Sequence, residues 1–176
     1  SDTAVLYIGN HRSFFDVVLT YPMVPRPTGY IAKKELERVP LLNIWIRNLH
    51  CLFLDRKDIK AGMQTILDAI GLIKGGTSVC IFPEGTRSKT EGTLLPFNEG
   101  SFKIASKSGC PIVPMTIVNS AGVFENQFPF IKKAHVIIEY GAPVLIQDLP
   151  KEQQKRPGAY FQTIIQETHE KNMQNL

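Results

Sequence analysis

A chain of 176 residues, 43% of them hydrophobic, has the length of one domain and enough apolar mass for one sizeable core, which excludes a disordered polypeptide. Twenty basic residues against 16 acidic ones leave a net charge of +4, which suits an anionic partner without choosing among membrane surface, nucleotide and phosphorylated substrate. The longest apolar stretch, LLNIWIRNLHCLFL, is broken by Asn43, Arg47 and His50 and falls short of the ~20 clean residues of a membrane-spanning helix, so none is expected.

In chain order, AVLYIG (4 to 9) has the pattern of a buried strand, NHRS of a loop, and FFDVVLTYPM of a short helix ending before Pro25, with Ser13 as its N-cap. TGYIA and CLFL are expected strands, separated by a helical piece around LLNIWIRNL. KAGMQTILDAIGLIK has apolar residues at helical spacing, and the pair Gly75-Gly76 stops it. TSVCIF is a further strand and PEGTRSKTEGTLLPFNEG a long polar loop. SFKIASKSG is a helix, IVPMTIV and HVIIEYG are strands, and GAYFQTIIQETHEKN is an amphipathic helix with Phe161, Ile164, Ile165 and Thr168 on one stripe.

No repeat or linker divides the chain, so residues 1–176 are expected to form one domain. Alternation of strands and helices predicts an α/β fold, a mixed and largely parallel sheet flanked by helices, with ligands at loops beyond strand ends. The loops at 10 to 15, 55 to 57 and 83 to 97 each follow a strand.

Those loops hold the residues capable of chemistry. His11 and Asp16 lie five positions apart, which on a continuous helix turns them about 140° from each other, so they meet only if the chain bends between them. Ser13 and Asp16 also fit a capping box, which accounts for both residues by helix initiation alone. That reading leaves His11 unexplained. A histidine held by a carboxylate has a fixed tautomer and serves as a general base. In FPEGTRS, Gly85 permits close backbone approach, Arg87 offers a planar fork for phosphate, and Thr86 adds a hydroxyl and a backbone donor. The bland alternative is a surface ion pair between Glu84 and Arg87.

Cys51, Cys80 and Cys110 are odd in number and lie in or beside apolar runs, which fits buried reduced thiols in a reducing compartment. The histidines are scattered, and no dedicated metal site is expected.

Four blocks in order carry a family resemblance: His11 and Asp16 with four residues between them, CLFLDR at 51 to 56, FPEGTRS at 82 to 88 and CPIVPM at 110 to 115, with AKKEL and VP between the first two. Over nearly the whole chain this resembles the glycerolipid acyltransferase family that includes the 1-acylglycerol-3-phosphate acyltransferases. The resemblance implies the glycerol-3-phosphate acyltransferase-like fold, with His11 as general base and Asp16 as its orienting partner. It further implies that Arg56, Glu84, Gly85 and Arg87 bind the acceptor's glycerol phosphate and that Pro111 and Pro114 shape the neighbouring strand. His50 and Asn43 depart from glycines common in relatives.

The implied reaction is transfer of a fatty acyl group from an acyl thioester to a lysophospholipid hydroxyl, most simply 1-acylglycerol-3-phosphate giving phosphatidic acid. No cofactor is expected, since an acyl-CoA or acyl carrier protein thioester is a co-substrate that is already activated. Backbone donors of the His11 loop or of PEGTR are candidates for the oxyanion, and LLNIWIRNL with the 14 to 24 helix for an acyl groove. Competing readings are another lysophospholipid or amino-lipid acceptor and a noncatalytic lipid-binding module, which would be expected to lack His11, Asp16 or the arginines. A Ser13-His11-Asp16 hydrolase lacks a G-x-S-x-G elbow, and neither Cys80 nor Cys110 has an electropositive setting for an acyl-enzyme.

Basic residues lack interleaved aromatics, so no nucleic-acid partner is expected. The pairs Lys33-Lys34 and Lys132-Lys133 suit anionic head groups at a membrane surface, or else are solvated. Amphiphilic substrates imply a membrane-associated protein with its site on the cytoplasmic side. The chain opens at Ser1 almost directly on a strand-like run, so a membrane-associating N-terminal segment is expected to be missing upstream, and attachment by the chain itself to be reversible and salt-sensitive.

Overall fold

The computed structural model describes residues 3–38, 44, 46, 48–55 and 57–176. Among these, six strands form one sheet: β1 (Leu6–Gly9), β2 (Thr28–Lys33), β3 (Leu52–Leu54), β4 (Ser78–Ile81), β5 (Ile112–Val118) and β6 (Ile137–Tyr140), in the order β3-β2-β4-β1-β5-β6. The first five run parallel and β6 is antiparallel to β5. The mixed, largely parallel sheet expected from the alternation of elements is therefore present.

Helices cover both faces. The longer ones are α2 (Ile59–Lys74) and α5 (Pro157–Met173), and the shorter ones α1 (Phe15–Thr20), α3 (Lys103–Ser108) and α4 (Lys151–Lys155). Asp58 starts α2 by accepting hydrogen bonds from the backbone N–H groups of Lys60 and Ala61, and Gly75 ends it. The run expected as one helix from Phe14 to Met23 is α-helical only to Thr20. It tightens into a 3-10 turn at Tyr21–Met23 around Pro22, whose ring cannot follow a full α-turn. The helical piece expected around LLNIWIRNL lies mostly outside the described residues. Of it, Ile44, Ile46 and Asn48 are helical, with Ile46 buried.

Strand alternation sorts the core into two layers. Leu6, Ile8, Val79, Ile81 and Ile112 face α2, α3 and α5, packing with Ile70, Ile73, Ile104, Phe161 and Ile165. Val5, Tyr7, Cys80, Val113, Met115 and Ile117 face the other way, with Tyr30 and Phe82, under the partly buried Val17, Tyr21 and Val24. The buried stripe of α5 is Phe161, Ile165, His169 and Asn172, while Ile164 and Thr168, expected on it, sit at its flank.

Pro114 stands inside β5 between two partners. Its carbonyl accepts from Gly141 N–H, so its missing donor falls on the side of β6 and leaves the parallel ladder to β1 intact. Pro111 begins the strand, and its carbonyl accepts from Leu6 N–H.

Candidate active site

Because β1 and β4 are parallel neighbours, the loops leaving their C-terminal ends emerge side by side. The first loop carries His11 and the second carries Glu84 to Arg87. Asn10 fixes the exit from β1: its side-chain amide donates to Ile117 O at 2.8 Å and its carbonyl accepts from Ile117 N–H at 2.8 Å, which extends sheet pairing by one residue. Ser88 N–H, donating to His11 O at 2.8 Å, then joins the two loops.

The chain bends after His11, as pairing with Asp16 requires. His11 Nδ1 lies 2.7 Å from Asp16 Oδ2, and the carboxylate is fully buried while the imidazole side chain is 20% exposed. The same oxygen accepts from the backbone N–H groups of Arg12 and Ser13 at 2.8 and 2.9 Å, and Ser13 Oγ accepts from Phe15 N–H at 2.9 Å. The capping reading and the histidine-orienting reading are therefore both met, and by one carboxylate. Occupied by Asp16, Nδ1 carries the proton, and Nε2 is left with its lone pair. A second constraint fixes the ring plane, since the imidazole stacks on Phe82 with centroids 4.4 Å apart and an 11° interplanar angle.

Glu84 does not pair with Arg87. Its Oε1 accepts from His11 N–H at 2.7 Å and its Oε2 from Leu95 N–H at 2.8 Å, so it braces the histidine's backbone against the far end of its own loop. Burial pushes its pKa up to about 7, against the lowering effect of those two N–H donors. Gly85 makes the turn beside it at φ +76°, a left-handed conformation that side chains resist. Thr86 is exposed.

Arg87 pairs instead with Glu125, Nη1 to Oε1 at 3.0 Å, and its guanidinium lies 3.5 Å over the Phe14 ring. Glu125 is a site residue invisible in the sequence pattern. Besides Arg87 it accepts from Phe14 N–H and from Ser13 Oγ, both at 2.7 Å, so one carboxylate from the chain beyond β5 clamps the start of α1. Arg56, expected beside these groups, lies outside the described residues, as does Asn43.

A further pair supports the loops from behind. His169 of α5 is buried with Nε2 2.9 Å from Glu91 Oε1, and Glu91 Oε2 is 3.6 Å from Arg12 Nε. Burial raises the Glu91 pKa, but hydrogen bonds from His169 and Asn119 N–H, with the charge of Arg12, outweigh it and leave the carboxyl below its ordinary value. A polar residue on the apolar stripe of α5 was the one sequence signal for this contact.

The backbone donors of the first loop are all taken. His11 N–H goes to Glu84, Arg12 and Ser13 to Asp16, Phe14 to Glu125, Phe15 to Ser13 Oγ and Asp16 to Ser13 O. The N–H groups of Thr86 and Arg87 have no partner among the described residues. Cys80 and Cys110 are buried free thiols and Cys51 is a half-buried one, and burial raises all three above the ordinary thiol value.

The Acyltransferase family model matches residues 1–118, which includes every loop described above except the Glu125 and His169 contributions. A 1-acyl-sn-glycerol-3-phosphate acyltransferase of Cocos nucifera is 35% identical over 153 residues, covering 86% of this chain and 49% of that protein. One of Saccharomyces cerevisiae is 30% identical over 149 residues, covering 84% and 49%. The crystal structure of the 1-acyl-sn-glycerophosphate acyltransferase PlsC from Thermotoga maritima superposes with a TM-score of 0.83 at 27% identity, covering 98% of this chain and 68% of that one. The chain thus spans about half the length of the curated relatives it matches. By family model, sequence and fold together, the chain belongs to the glycerolipid acyltransferase family, among relatives that are 1-acyl-sn-glycerol-3-phosphate acyltransferases.

Proposed function

We propose that the protein transfers an acyl group from a thioester, acyl-CoA or acyl carrier protein, to the free hydroxyl of 1-acyl-sn-glycerol-3-phosphate, giving phosphatidic acid, with His11 as general base. The observation that carries this reading is the His11 to Asp16 contact of 2.7 Å, buried on its carboxylate side and open on its imidazole side. His11 Nε2 takes the hydroxyl proton as the oxygen attacks the thioester carbonyl, a contribution of about 10² to 10⁴ in rate. Collapse of the tetrahedral intermediate expels the thiolate, which regains a proton from the imidazolium. Asp16 holds the tautomer and stabilises the positive ring while it exists.

With the donors of residues 11 to 16 committed, the N–H groups of Thr86 and Arg87 are the candidates for the oxyanion. Arg87 and Arg56 serve the acceptor's phosphate; the free nitrogens of Arg87 project from a guanidinium already oriented by Glu125 and Phe14. Glu84 and Gly85 build the turn that presents them, so their part in substrate binding is to shape the loop.

Among the described residues no helix is long and apolar enough to cross a membrane. Both substrates are amphiphiles, so the protein works at a membrane surface, and we place its site on the cytoplasmic side, where free thiols persist. An assay crossing acyl thioesters with lysophospholipids tests the reading. Product acylated at the free hydroxyl of lysophosphatidic acid is the expected result, and thiol release without any acylated lipid would overturn it.

A further inference from the structure

Residues 128 to 133, FPFIKK, stand out from the rest of the surface. Phe128 is 73% exposed, Phe130 67% and Ile131 66%, and the next two residues are the exposed Lys132 and Lys133. Large apolar side chains this open, in consecutive positions and directly followed by two cations, form an amphipathic tip. The tip has a defined backbone: Phe130 N–H donates to Gln127 O at 2.9 Å and Lys132 N–H to Val123 O at 3.0 Å.

Its base is joined to the catalytic loop. The Phe128 ring lies 5.5 Å from that of Phe124, which lies 5.9 Å from that of Phe15 in α1. Three residues before Phe128, Glu125 holds Ser13, Phe14 and Arg87. Residues 128 to 133 are thus linked through Phe124 and Glu125 to the loop bearing His11.

We propose that this tip is a membrane-docking element, with Phe128, Phe130 and Ile131 entering the head-group boundary of an anionic bilayer and Lys132 and Lys133 pairing with its phosphates. Charge complementarity selects the occupant. A second copy would bring two lysines against two lysines, whereas an anionic lipid surface satisfies the aromatic and the basic halves together. A second exposed apolar stripe, Ile59, Met63 and Leu67 on α2, has Asp58 and Asp68 beside it and sits on the helix layer over the opposite sheet face. With Lys57 and Lys60 beside it as well as Asp58 and Asp68, its charges balance, and among the described residues nothing ties it to His11, so it serves as the internal control.

The docking element deepens the acyl-transfer reading, because it delivers the site to amphiphilic substrates, yet its test needs no substrate. Flotation of the 176-residue chain with vesicles of phosphatidylcholine and phosphatidylglycerol in equal parts is expected to weaken at least about 30-fold in Phe130→Ser/Ile131→Ser. Lys132→Ala/Lys133→Ala should lose about 25-fold on those vesicles, at about five-fold per charge, and little on pure phosphatidylcholine. Met63→Ser/Leu67→Ser should float like the parent. Phe130→Trp, which preserves the tip, should show emission moving to the blue on anionic vesicles. Undiminished flotation of the serine variant, an unmoved Trp spectrum, or loss of a dimer in place of vesicle binding would each overturn the proposal. Vesicle binding without acyl transfer would leave the docking element standing and remove the enzymatic reading instead.

Discussion

The two faces of the sheet are covered in different ways. One carries α2 and α5, of 16 and 17 residues, in a cluster of apolar side chains that are almost wholly buried, among them Leu6, Ile8, Ile104, Phe161 and Ile165. The other carries the six-residue α1 and a 3-10 turn, whose Val17, Tyr21 and Val24 are only partly buried over Tyr7, Cys80, Phe82 and Met115. The thick face holds the larger cluster of buried apolar side chains, whose burial contributes about 25 cal/mol per Å². The thin face ends at Phe82, on which His11 stacks. The longer helices lie on one side of the sheet, and the candidate site hangs from the edge of the other.

Truncation on the thick face should break the fold without touching the chemistry. Phe161→Ala, which empties a fully buried site against Phe102, is expected to cost about 3–5 kcal/mol in urea unfolding, while molecules that remain folded keep their turnover. Loss of turnover per folded molecule would show that the two faces are coupled more tightly than their packing indicates.

At the junction between strands and site, Glu84 should give a pH signature. Its folded pKa near 7 lies above the ordinary 4.5, so the folded chain binds this proton more tightly than the unfolded chain does. The group's contribution to stability is complete below pH 4.5, declines as pH rises toward 7, and is level above that. Glu84→Gln removes the titration, so the stability difference between parent and variant should shift against the parent by roughly 3 kcal/mol from pH 4.5 to pH 8. A difference independent of pH would show that Glu84 stays ionised in the fold, held by its two N–H donors.

On the thin side, Arg87→Lys keeps charge but loses the fork. If the guanidinium serves the acceptor phosphate, the KM for the acceptor should rise about ten-fold with the donor's unchanged. If it only pins Glu125, kcat should fall and both KM values hold. The smallest effect is expected at His50, which occupies φ +56° and whose carbonyl packs against Gly29 so closely that a Cβ there would come within 2.2 Å of it. His50→Gly relieves a left-handed conformation and should stabilise by about 0.5–1 kcal/mol, partly offset by the freer unfolded chain.

What was legible in the sequence follows the same division. β5 could be located end to end because all seven of its residues are buried, and α2 because its apolar spacing is long and Gly75 punctuates it. The five residues of α4 and the 3-10 turns at Lys34–Arg38, Ser120–Val123, Glu125–Gln127 and Ile146–Asp148 are too short for a periodic signal. His11 and Asp16 announced themselves by spacing, since both belong to one local bend. Glu125 and His169 did not, because they reach the site through tertiary packing, across 112 positions to Ser13 and 78 to Glu91. Lys34, one of the expected lipid-facing cations, bonds Asp55 at 2.9 Å, a pairing between the residues that follow β2 and β3 that local sequence does not encode. The departure at His50 was visible, but only the backbone reveals that the position takes a glycine-like conformation.

The central claim is that His11, oriented by Asp16, is the base of an acyl transfer. The most direct measurement is single-turnover transfer from an acyl thioester to lysophosphatidic acid by His11→Ala and Asp16→Asn, each compared with the parent in urea unfolding. His11→Ala should lose at least about 10³-fold in rate with stability within about 0.5 kcal/mol of the parent. Asp16→Asn should lose about 10²-fold or more together with about 1 kcal/mol from the start of α1. Near-parental transfer by His11→Ala, or an Asp16→Asn variant that loses stability and keeps its rate, would contradict it.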